Sequence, residues 1–133
     1  MDGVTSSEAD PEPDTLSGRV GGLAFFEALV EGFYGRVESD PRLRPLYPRD
    51  LTDARAHLAL FLDQYFGGPQ TYGEVRGHPR LRMRHAPFVI GPMERDAWLA
   101  HMTAAVGEAT LGEADRRELT GYFTMAAASL QNH

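Results

Sequence analysis

Three prolines, Pro41, Pro45 and Pro48, fall within one stretch of eight residues, and helical periodicity stands on both sides of them. Proline lacks an N–H and clashes with the preceding turn, so no helix runs through this stretch. The segment from Asp40 to Pro48 is therefore a corner. Before it, from Gly21 onward, Phe26, Leu29 or Val30, Phe33 and Val37 recur at steps of three and four, which predicts a helix ending near Asp40. After it, Leu51, Ala54, Leu58, Phe61 or Leu62 and Tyr65 form one stripe, which predicts a helix from about Leu51 to Phe66. Gly67, Gly68 and Pro69 stop it.

Between Pro69 and Leu81 the chain is polar, carries Gly73, Gly77 and Pro79, and shows no period, which reads as an ordered loop. A short helix fits Leu81 to Ala86, ahead of Pro87. Pro92 opens a longer helix, being tolerated in a first turn, with Trp98, Met102, Ala105 and Val106 on its inner face. A last helix runs from about Glu113 to Leu130, with Leu119, Tyr122 or Phe123, Ala126 and Leu130 inward. No strand alternation or internal repeat interrupts this pattern, so the expected class is all-α. A chain of 133 residues builds one core of this kind. Residues 1–16, rich in Asp, Glu, Pro, Ser and Thr, read as a flexible acidic tail, and 17–133 as the single domain.

Charge narrows the partners. The formal net charge is −6, and Asp2, Glu8, Asp10, Glu12 and Asp14 supply five of those negative charges from the tail. A nearly neutral body without a basic block argues against a nucleic-acid or anionic-membrane partner. Arg76, Arg80, Arg82 and Arg84 form a local basic run, suited either to a small anionic group or to solvent. The chain has no cysteine, which excludes disulfides, thiolate catalysis and cysteine-bound metal. The N-terminus lacks the basic and apolar regions of a secretory leader, and no run reaches the roughly 20 apolar residues of a membrane span. The expectation is a cytoplasmic protein.

Five histidines, at 57, 78, 85, 101 and 133, are the candidates for metal or proton chemistry. His57 and His101 lie at the borders of apolar stripes, and His133 ends the chain. His85 faces the core from a short element, with Leu81 before it and Phe88 after it; that spacing also suits a hydrogen-bonded structural histidine. No HxxxH or HxxE pair with supporting ligands suggests a zinc site. Haem iron needs only one protein histidine, because the porphyrin supplies the other equatorial ligands. Phe26, Phe33, Phe61, Tyr65, Phe66, Phe88 and Trp98 would suit a large apolar cofactor, or simply an aromatic core. Tyr34, Tyr47 and Trp98 each carry a donor inward that needs an acceptor.

Taken together, GG at Gly21 and Gly22, FYGRV around Tyr34, LYP around Tyr47, QYFGGPQTY from Gln64 to Tyr72, GHPRLRMRHAPF from Gly77 to Phe88 and ERDAWL around Trp98 resemble the group II truncated haemoglobins of bacteria. The resemblance runs from about Gly21 to Asn132. It implies the two-over-two helical sandwich of a truncated globin, a haem b cofactor, and His85 as the proximal iron ligand. It also implies that Tyr34, Tyr47 and Trp98 are the distal donors around bound O2. Ala54 would take the distal-gate position, with Leu58 facing the ligand one turn later. Arg84 and Tyr72 would meet the haem propionates, and Leu58, Phe61, Tyr65, Leu81, Phe88, Ile90 and Met125 would form the apolar wall. Three departures stand out: the acidic tail is extra, Phe66 replaces a tryptophan found in many relatives, and one residue is missing after Tyr47.

The resemblance implies binding of O2 and other diatomic ligands with slow O2 release, which suits storage, sensing or chemistry better than oxygen transport. The alternative is an enzyme on the same haem, peroxidase-like or oxidising nitric oxide. With no reductase domain in the chain, such turnover would need an external reductase. A haem-free helical interaction module is the reading from a different class. Oligomeric state is not legible in the residues.

Overall fold

The computed structural model describes residues 15–67 and 90–132. Among these residues the regular structure is helical: α1 (Leu16–Val20), α2 (Leu23–Glu38), a 3₁₀ turn (Arg44–Leu46), α3 (Thr52–Gly67), α4 (Pro92–Glu108) and α5 (Glu113–Leu130). α2 packs on α3 and α4 on α5, and the two layers meet where α2 touches α4. This is the expected two-over-two arrangement. No described helix is long and apolar enough to cross a membrane.

The predicted boundaries of the longer helices agree with those observed to within a residue or two. The buried stripes are also those of the sequence: Phe26, Phe33 and Val37 on α2, Leu58 and Leu62 on α3, Met102 and Val106 on α4, Leu119, Phe123 and Leu130 on α5. One element was not expected. α1 begins at Leu16, which the composition assigns to the tail, yet Leu16 is 2% exposed. Thr15 Oγ1 caps it by accepting from the Gly18 N–H at 3.1 Å. Ser17 Oγ donates to the Asp63 carboxylate on α3, and Arg19 Nε donates to Asp115 on α5 at 3.0 Å. At five residues α1 is too short to show a period, so only tertiary contacts reveal it. Gly21 and Gly22, with φ of 114° and 73°, turn the chain from α1 into α2 through a region that side chains strain to enter.

The far end of the fold is fastened by a two-bond clip. The Ile90 N–H donates to Asn132 Oδ1 at 2.8 Å, and the Asn132 N–H donates to the Ile90 carbonyl at 2.8 Å. Ile90 is buried, so deleting the side-chain acceptor strands a donor away from water. Asn132→Ala is expected to cost about 1–2 kcal/mol, read as a lower midpoint in thermal unfolding; an unchanged midpoint would show that the clip is already open in solution.

Candidate functional site

Three polar aromatics meet from three different elements. Tyr34 lies on the buried face of α2, Tyr47 directly follows the 3₁₀ turn of the corner, and Trp98 lies on the buried face of α4. The rings of Tyr34 and Tyr47 stand edge to face with centroids 5.5 Å apart. Phe33 fills the space beside them, 4.9 Å from Tyr34 and 5.5 Å from Trp98. An indole N–H can only donate, so the hydrogen bond between Trp98 and Tyr47 runs from Trp98 Nε1 to the phenol oxygen. Burial pushes the Tyr47 hydroxyl well above the usual tyrosine range and neighbouring Tyr34 adds to this, while the Trp98 donor partly opposes it. Tyr47 therefore keeps its proton and stays a donor at any physiological pH.

The corner that carries Tyr47 is built by local hydrogen bonds. Arg44 Nη1 donates to the carbonyls of Tyr47 and Pro48 at 3.3 and 2.9 Å, and its Nη2 donates to that of Arg49 at 2.7 Å. At the start of the corner Asp40 is buried, and its carboxylate accepts from the Arg42 N–H at 2.8 Å, from Arg42 Nε and Nη2 at 3.0 Å each, and from His101 Nε2 at 2.6 Å. Arg42, then His101, hold its carboxyl far below the usual carboxylate range, against the opposing effect of burial. A depressed folded-state value means that Asp40 adds stability that is fully present above its unfolded value near 4, begins to be lost below that value and is gone only once the pH has fallen through the much lower folded value. Asp40→Asn should therefore be less stable than the parent at pH 6, by a gap that begins to narrow between pH 5 and pH 3. Urea midpoints across that range check this, and a constant gap would contradict it.

The apolar candidates divide. Leu58 and Ile90 are buried, and Phe61 and Tyr65 are partly buried and pack on the same core. Phe61 and Tyr65 are nearly parallel, one turn apart on α3, and Tyr65 abuts Tyr122 of α5 at 4.6 Å. Ala54, placed at the distal gate by the resemblance, is also partly buried against this core. Phe66, the departure from tryptophan, is buried and stacks on Phe26 at 5.9 Å.

Met125 is 62% exposed, at a position of α5 beside the inner face formed by Leu119, Tyr122, Phe123 and Ala126. Tyr72, Leu81, Arg84, His85 and Phe88 lie outside the described residues, as do the expected loop and short helix. Of the other histidines, His57 is exposed on α3, and His101 is engaged by Asp40 rather than simply bordering a stripe. The Asp40 cluster escaped periodicity because its members belong to no apolar stripe. Its only trace is an aspartate before Pro41 at a helix end and a histidine one turn beyond Trp98.

Residues 15–132 match the sequence model of the family described as bacterial-like globin. The chain belongs to that family. Its relatives include truncated globins of the second group. It is 41% identical over 111 residues to the group 2 truncated haemoglobin YjbI of Bacillus subtilis, covering 84% of each chain. Among solved structures, it is similar to the haemoglobin of the thermophilic phototrophic bacterium Chloroflexus aurantiacus, with 57% identity and a TM-score of 0.79 over 90% of this chain and 98% of that one. It is also similar to a truncated oxygen-avid haemoglobin from Bacillus subtilis, with 39% identity and a TM-score of 0.76 over 90% of this chain and 100% of that one. For a truncated globin, membership implies haem-based ligand binding.

The described residues suit such a cofactor on the side they cover. A flat apolar macrocycle with a small polar ligand on one face asks for an apolar surround and a few inward donors. Leu58, Phe61 and Tyr65 supply the first along one stripe of α3, and the Tyr34, Tyr47 and Trp98 cluster supplies the second.

Proposed function

We propose that this truncated globin binds O2 and other diatomic ligands at a haem b held by His85. In this reading it releases O2 slowly because Tyr34 and Tyr47 donate hydrogen bonds to the bound ligand and Trp98, whose one N–H goes to Tyr47, holds and polarises that hydroxyl. The observation that carries the reading is the convergence of these three side chains from α2, the corner and α4, with the Trp98 N–H directed to Tyr47. The haem, when bound, supplies the iron that takes the ligand. The chain supplies the rest.

Donors fixed before the ligand arrives stabilise negative charge gathering on it without having to reorganise, as in an oxyanion hole. Trp98 polarises the Tyr47 hydroxyl by donating to its oxygen, which strengthens Tyr47 as a donor in turn. Leu58, Phe61, Tyr65, Leu81, Phe88 and Ile90 would form the apolar surround that excludes water, and Arg84 and Tyr72 would hold the propionates. Strong retention of O2 agrees with the relative from Bacillus subtilis described as oxygen-avid.

The deciding experiment is a visible absorption spectrum of the purified protein, ferric and dithionite-reduced, followed by stopped-flow O2 dissociation. A histidine-ligated haem spectrum with slow O2 release is expected. A colourless protein that gains no thermal stability from added haem would overturn the reading, and rapid O2 loss would overturn its distal half.

A further inference from the structure

The contacts around Tyr47 and Trp98 close into a ring. Trp98 donates to the Tyr47 hydroxyl. The Tyr47 N–H donates to the Arg44 carbonyl at 3.2 Å, and the Arg44 N–H donates to the Asp40 carbonyl at 2.9 Å. The Asp40 carboxylate accepts from His101 Nε2, and His101 lies one turn beyond Trp98 on α4. Every link is a hydrogen bond or a stretch of helix. The ring thus ties the frame of the corner to α4 at two points, an aromatic one inside and an ionic one beside it.

The ionic point is built to be rigid. Asp40 is 5% exposed, and its two oxygens each accept two hydrogen bonds, which saturates the carboxylate. Arg42 lies in the same corner and half in solvent, so it orients the carboxylate without reaching another element. His101, on the backbone of α4, makes the link between elements. The histidine is also 21% exposed, so its replacement disturbs the core less than that of a fully buried residue.

We infer that Asp40 and His101 are positioning residues: by pinning the corner to α4 they set the register in which Tyr47 receives the Trp98 N–H. This rests on the reading that these donors stabilise the bound ligand. Neither residue touches that ligand. Their effect passes through the corner frame, and losing the pin lets the corner drift relative to Trp98 while the aromatic core still holds the fold.

The chain's one tryptophan gives a readout that a merely structural role would not move. In the diamagnetic ferrous carbonmonoxy protein, labelled with nitrogen-15, a single indole N–H cross-peak reports the hydrogen bond from Trp98. Asp40→Asn and His101→Leu are expected to shift or split this peak and to raise the O2 dissociation rate about three- to tenfold. His101→Gln, whose amide can still donate to Asp40, is expected to keep the parent's peak and a rate within about twofold. Trp98→Phe is the control.

If Asp40→Asn and His101→Leu keep the parent's peak and rate while Trp98→Phe releases O2 faster, the positioning role is refuted and the distal reading stands. A Trp98→Phe protein with unchanged release refutes the distal reading and the positioning role with it. Should Asp40→Asn fail to fold, the contrast between His101→Leu and His101→Gln decides alone, and equal behaviour of those two counts against the pin.

Discussion

Replacing His85 with alanine is expected to strip the purified protein of its histidine-ligated haem spectrum, and millimolar imidazole is expected to restore it. A ligand deleted to a methyl group leaves room for a small base, and the haem then regains a nitrogen donor that is not tethered to the chain. The described residues offer no substitute. His101 is held by the Asp40 carboxylate, His57 is exposed on the surface of α3, and no cluster of metal-binding side chains occurs among them. The expected haem content of His85→Ala is well below that of the parent after the same purification. An unchanged ferrous spectrum in His85→Ala, with the change appearing instead in His78→Ala, would move the ligand to the other histidine of the same segment.

The second large effect is expected on release. Trp98→Phe keeps an aromatic ring beside Phe33 and Phe123 but removes the only hydrogen bond the indole can donate. Without it Tyr47 loses the partner that orients its hydroxyl towards the ligand, and a hydrogen bond to a charged group is worth about 1.5–3 kcal/mol, so the O2 dissociation rate should rise about tenfold to a hundredfold. Tyr47→Phe should rise by a similar factor. Because Trp98 donates to Tyr47, the two losses overlap: the double variant should release O2 more slowly than the product of the single factors predicts. Stopped-flow displacement of O2 measures all three. Fully multiplicative factors would mean that the two side chains reach the ligand independently.

The helices were legible because each long one buries a stripe at steps of three and four, and the proline corner left no other place for the chain to turn. Tyr34 and Trp98 were legible as inward donors for the same reason, since each occupies a buried stripe of its helix. That they meet Tyr47 could not be read from spacing, and came only from the likeness of the motifs to a family. Met125 was named from the likeness alone: the apolar run at the end of α5 turns Ala126 and Ala127 inward and leaves the methionine exposed. α1 failed on length, because one turn and a half has no period to detect. Asp40 and His101 failed on chemistry, because a buried charge is explained by its partners, and partners 61 residues apart leave no local mark.

That separation of 61 residues also bears on the order in which the protein assembles. The bonds of the corner join residues three to five apart and close small loops, so they form at little entropic cost as soon as the segment condenses. The bond from His101 must wait for the largest loop in the ring to close. Tyr47 is therefore framed early, on a piece of backbone that is nearly local, while Trp98 arrives late with α4. The chain acquires its ligand-gripping pair at the end of folding rather than at its beginning, and a nascent chain that has not yet released α4 has a finished corner with nothing to face.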